Sequence, residues 1–83
     1  MLEYRFDTQL LVEGCKASED QVDAYIKEHF AGDCLLVVGD EEVMKLHFHT
    51  NEPWKVLEYC ASQGDIYDIV VENMERQENG LPG

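Results

Sequence analysis

Apolar and polar positions alternate with a period of two at the start of the chain. Tyr4, Phe6, Thr8, Leu10 and Val12 share one parity and Arg5, Asp7 and Gln9 the other, which predicts a strand with one buried face. Gly14 breaks it. Ser18, with Gln21 three positions on, is a capping-box signature. Val22, Tyr25, Ile26 and Phe30 then recur at helical spacing until Gly32. Cys34 to Val38 is apolar on both parities and predicts a second strand, followed by a hairpin turn at Gly39-Asp40-Glu41-Glu42. Val43 to Thr50 predicts a third strand, with Met44, Leu46 and Phe48 opposed in parity to Lys45, His47 and His49. Thr50 or Asn51 can cap a second helix that tolerates Pro53 in its first turn, where the amide needs no helical partner. Trp54, Leu57, Cys60 and Ala61 supply its apolar stripe, and Gly64 closes it. Ile66 to Met74 predicts a fourth strand, and the polar remainder ends in Gly-Leu-Pro-Gly.

The element order β-α-β-β-α-β is the ferredoxin-like, or split βαβ, pattern of the α+β class. Right-handed crossovers then favour a four-stranded antiparallel sheet in the order 4-1-3-2, with two helices on one face. The expected organisation is one domain over residues 1–75 with a flexible tail or linker over 76–83. A chain of 83 residues supports one domain and a modest core, burying about 60–65% of its unfolded surface.

Charge narrows the partners. Six basic residues against 18 acidic ones give −12, a surface that repels phosphate backbones and anionic membranes and suits a basic partner. The apolar run Cys34 to Val38 is far too short to span a bilayer, and the N-terminus shows no basic segment followed by an apolar one. Cys15, Cys34 and Cys60 are odd in number, widely spaced and without a C-x-x-C pair, which reads as a reduced intracellular protein. The expectation is a cytoplasmic domain that neither binds nucleic acid nor inserts into a membrane. Cys15 reads as a loop thiol, Cys34 and Cys60 as core residues, and Trp54 as a packing or partner contact. No Walker pattern, G-x-G-x-x-G or magnesium-nucleotide carboxylate set is present, so no cofactor is expected on this domain.

The expected topology brings distant polar residues together. Strands one and three are antiparallel neighbours, so Asp7 near the start of one lies beside His47 and His49 at the end of the other. Parity turns all three away from the helices, and Glu72 on strand four reaches the same edge. Three readings of this group are open. It is a solvated strand face; it is a metal site, since two imidazoles and a carboxylate suit zinc or a similar ion; or it is a catalytic or phosphate-handling cluster in which a carboxylate orients a histidine that titrates near neutrality. Leu11, Val43, Val70 and one parity of strand two share the open face, and exposed apolar area there reads as a dimer or interdomain contact.

Four ordered motifs resemble one known family. Ala31 to Asp40 (AGDCLLVVGD) resembles its G-D-S-L-V-V-V-G-D signature, and Val43 to Thr50 followed by Asn51-Glu52-Pro53 resembles V-K-V-H-V-H-T-x-x-P. Glu72 to Gln77 resembles E-N-M-R-x-Q, and Tyr4 to Gly14 resembles Y-x-Y-C-T-E-F-L-x-x-G. This is the middle domain of the fatty acid kinase catalytic subunit (FakA or YloV-like proteins, related to dihydroxyacetone kinases). The resemblance implies a multidomain kinase with an N-terminal nucleotide-binding domain, this domain, and a C-terminal domain that docks an acyl-binding protein. It implies phosphorylation of a bound fatty acid with ATP and magnesium by the complete enzyme, with the middle domain dimerising and not active alone. It also implies a Cys-His-His catalytic set: His47 and His49 fall on the two histidines, whereas Asp7 stands at the cysteine position. The competing reading is a metal-binding or ligand-sensing interaction module without a catalytic role.

Overall fold

The computed structural model describes residues 2–83; Met1, the first residue of the expected domain, lies outside them. The elements are β1 (Phe6–Glu13), α1 (Glu19–His29), β2 (Gly32–Gly39), β3 (Val43–Thr50), α2 (Pro53–Gln63), β4 (Asp65–Asn73) and α3 (Met74–Glu78). The strands form one sheet in the order β2-β3-β1-β4, every neighbouring pair antiparallel. This is the α+β, ferredoxin-like arrangement that the alternation of the sequence predicts.

Parity decides which face is buried. Thr8, Leu10 and Val12 of β1 and Met44, Leu46, Phe48 and Thr50 of β3 are buried, and Val37 of β2 joins them. They pack with Val22 and Ile26 of α1 and with Val56 and Cys60 of α2. Each fully buried aliphatic or aromatic side chain of this kind contributes about 1.5–3 kcal/mol. The helices also meet through Tyr25 and Tyr59, whose rings stack at 3.9 Å between centroids. The capping box is formed: Gln21 N–H donates to Ser18 Oγ, and Ser18 N–H donates to Gln21 Oε1.

Several local expectations change. The apolar stripe of α2 is rotated, with Pro53, Val56 and Cys60 inward while Trp54 is 59% exposed. Neither Thr50 nor Asn51 is its cap; the cap position is Glu52 and makes no side-chain cap bond. The Thr50 hydroxyl donates to Ala31 O and accepts from Glu52 N–H, short of the helical amides, and Asn51 Oδ1 accepts from Arg5 N–H. Cys15 lies in the loop after β1, as expected, but is buried, because Lys16 N–H donates to Gln63 O and draws the loop down onto the end of α2. Cys34 is exposed rather than core, because a bulge between Asp33 and Leu36 interrupts the β2 parity and puts Cys34 at φ 54°. β4 ends at Asn73, one residue early. Asn73 Oδ1 accepts from Arg76 N–H and starts α3, which takes in Met74, expected on the strand, and runs to Glu78. That segment folds back onto Arg5, just before β1, through Met74 N–H to Arg5 O and the Arg5–Glu75 ion pair at 3.1 Å.

Candidate functional site

With its inner parity committed to the core, β3 must present Lys45, His47 and His49 on the open face. The ladder sets Asp7 opposite His49 and Gln9 opposite His47. Side chains two apart on a strand start about 6.5 Å apart. Here the two imidazoles lean together, so that His47 Nε2 and His49 Nε2 lie 3.0 Å apart with the rings at 44°. One ring must donate and the other accept at that distance. Asp7 Oδ1 lies 3.4 Å from His47 Nε2 and 3.8 Å from His49 Nε2, within ion-pair reach and longer than a good hydrogen bond. Gln9 Nε2 holds the Asp7 carboxylate, at 3.2 and 3.4 Å from its two oxygens. The three side chains are partly buried, with 18 to 27% of each exposed.

The structure brings the three expected residues together and leaves the fourth aside. Glu72 pairs with Asp7 in the β1–β4 ladder, but its carboxylate accepts from Gln77 Nε2 at 2.9 Å. Sequence reasoning did not find Asp33, whose Oδ1 is 3.7 Å from His49 Nδ1. Counting back along the hairpin from its turn sets Cys34 across from His49; the bulge shifts the register and puts Asp33 there. Gln9 was visible only as a polar residue of the correct parity.

Two chemical uses follow from this arrangement. A shared proton between two Nε2 atoms beside a carboxylate can be given to, or taken from, a group approaching the open face. The same three atoms form a triangle with edges of 3.0, 3.4 and 3.8 Å. Ligand atoms on a tetrahedral zinc ion with 2.0–2.1 Å bonds lie about 3.4 Å apart, so one face of such a site fits these residues.

Residues 3–81 match the family of FakA-like fatty acid kinase middle domains. The chain belongs to that family. Among its relatives are uncharacterized proteins of Staphylococcus aureus strains USA300, COL and N315, each 38% identical over 77 residues. The match covers 89% of this chain and 14% of each relative, so the chain spans about one seventh of the length of those relatives. The FakA-like middle domain is therefore, in them, one part of a larger protein. Among the described residues no helix is long and apolar enough to cross a membrane.

Proposed function

We propose that this chain is the catalytic-support and dimerisation domain of a multidomain, cytoplasmic, ATP-dependent kinase that acts on a fatty acid or a related carboxylate. The observation that carries the reading is the convergence of Asp7, His47 and His49 on the open face, in a domain of the FakA-like family. The nucleotide and its magnesium belong to a neighbouring domain of the same protein, since this chain carries no phosphate-binding loop. The histidine pair supplies what phosphoryl transfer asks of a supporting surface: positive charge beside the developing phosphoryl oxygens, or a proton acceptor for the attacking group. Asp7 acts by holding the pair, its carboxylate within ion-pair reach of both rings. A thiolate nucleophile has no place at this position, because an aspartate occupies it. The domain is not active alone. A C-terminal domain and an acyl-binding protein complete the enzyme, and the apolar part of the open face joins two copies.

The experiment places His47→Ala or His49→Ala in the complete protein and follows ATP-dependent phosphorylation of the bound acyl group. Full activity in both variants removes the catalytic role. A second reading rests on the triangle of ligating atoms: the same three residues hold a divalent metal, and the domain is a metal-dependent interaction module. Elemental analysis of protein prepared without chelators, with loss of metal in His47→Ala, separates it from the first.

A further inference from the structure

The His49 ring presents its second nitrogen to another donor set. Nε2 is taken up by His47 at 3.0 Å, whereas Nδ1 points to Asp33 Oδ1 at 3.7 Å. Cys34 lies on the same side: its sulfur, a carboxylate oxygen of Asp33 and a ring nitrogen of His49 all fall within 4.8 Å of one another. We propose that Asp33, Cys34 and His49 form a zinc site where the edge strand β2 meets β3, with a fourth position open to water or a ligand.

Three observations combine. The donor set is mixed (one thiol, one imidazole, one carboxylate), which suits zinc better than a hard cation that asks for oxygen alone. The spacing of Nδ1 and Oδ1 is too long for a hydrogen bond and close to the about 3.4 Å separation of two ligands on one tetrahedral ion. The third concerns the tautomer. When His49 donates from Nε2 to His47, its Nδ1 carries the free lone pair that a metal needs, and the acceptor on the other nitrogen fixes the ring. Metal-ligating histidines are held in this way by a partner on the opposite nitrogen. His47 would thus support the zinc site without touching the ion.

The bulge explains how a strand residue reaches the ion. A regular β2 would alternate Cys34 away from Asp33. The irregular register between Asp33 and Leu36, with Cys34 at φ 54°, instead leaves the two side by side and Cys34 exposed. Binding displaces the thiol proton to solvent and leaves a thiolate on the metal. The inference shares His47 and His49 with the catalytic reading but uses Nδ1 of His49 and not Asp7, so the Asp7→Asn and Cys34→Ser variants tell the two apart.

The test is a titration of the 83-residue chain with Co²⁺ as a zinc surrogate, read by absorption. One equivalent should produce the near-ultraviolet thiolate-to-cobalt charge-transfer band and the visible bands of a tetrahedral ion. Zn²⁺ should displace the Co²⁺ and protect Cys34 from iodoacetamide. Cys34→Ser should abolish the charge-transfer band with the far-ultraviolet circular dichroism unchanged. Asp7→Asn should keep the band, and His47→Ala should keep it with affinity about 10–100-fold weaker. Stoichiometric Co²⁺ binding without a thiolate band, a band that survives Cys34→Ser, or no uptake of either ion overturns the proposal. Binding that disappears in Asp7→Asn and persists in Cys34→Ser also overturns it, and assigns the metal to the Asp7–His47–His49 triangle.

Discussion

Asp7 and His49 are directly opposed in the antiparallel ladder between β1 and β3, although α1, β2 and the hairpin turn lie between them in the chain. This pairing places a carboxylate against an imidazole on a face that the helices leave open. Its value depends on Gln9, which holds the carboxylate, and on His47, which holds the ring.

Each member of the group should therefore lose activity to a different degree. In the complete protein, on the proposed kinase reading, His47→Ala and His49→Ala should each lower kcat by about 10²–10⁴-fold, the usual contribution of a positioned acid or base. Asp7→Asn keeps the shape of the side chain and should cost less than either. Steady-state rates of acyl phosphate formation, with KM for ATP unchanged, check the order. An Asp7→Asn variant more damaged than His47→Ala would mean that the carboxylate itself reacts.

Gly32 supports the site from beneath. A Cβ at this position would collide with the Phe48 ring and the His49 carbonyl, so the close approach of β2 to the core depends on its absence. Gly32→Ala should destabilise the domain by about 1–3 kcal/mol, the usual cost of overpacking. It should also displace His49, which a shift of its imidazole resonances would report alongside the lower urea midpoint.

Thr8 is fully buried on the helix side of β1, and its hydroxyl meets no hydrogen-bond partner among the described residues. Leaving such a group unpaired costs about 1–3 kcal/mol. Thr8→Val replaces the hydroxyl with a methyl of similar volume and should stabilise the domain by about 1 kcal/mol, measured by urea denaturation.

The cysteines should separate by exposure. Cys34 is exposed, whereas Cys15 and Cys60 are buried, so one thiol should react quickly with iodoacetamide and two slowly. Burial, with a smaller contribution from Cys15, pushes the Cys60 thiol up from its ordinary 9.0 to about 12. The folded state thus keeps a proton that the unfolded chain releases. The associated stability is fully present below pH 9 and falls as pH rises to 12, by about 1.4 kcal/mol per pH unit. Tyr59, raised by burial and then by the charge of Cys60, adds to the loss above its ordinary 10.0. Urea midpoints across this range check the slope, and Cys60→Ala should flatten it between pH 9 and 10 while lowering stability overall.

The apolar part of the open face should behave as a contact surface. Leu36 and Val70 are 49% and 43% exposed, on opposite sides of the β1–β3 pair. Leu36→Glu and Val70→Glu should change folding stability by no more than about 0.5 kcal/mol, as solvated positions do. They should weaken self-association in sedimentation equilibrium. An unaltered dimer in both variants would remove this face from the interface.

Much of this molecule was legible in one dimension because strand and helix periods are local. The parity of Tyr4 to Val12 and of Met44 to Phe48 determined which face of β1 and β3 is buried, and the capping box of Ser18 and Gln21 determined where α1 starts. Handedness of the crossovers then settled the strand order, and with it the meeting of Asp7 with His47 and His49. Four ordered motifs were enough to indicate the family. The tertiary structure decided what depends on competition between neighbours. Thr50 did not cap α2, because the cap position falls two residues later, at Glu52, and the Thr50 hydroxyl oxygen accepts from the Glu52 amide instead of one inside the helix. Val56 displaced Trp54 from the core, because the seating of a helix depends on what the sheet offers beneath it. Cys34 left the core, and Asp33 came to face His49, because a bulge shifts register by an amount that no residue pattern announces. Periodicity is written in the chain, whereas register and the choice among rival hydrogen-bond partners are set only when the strands are in contact.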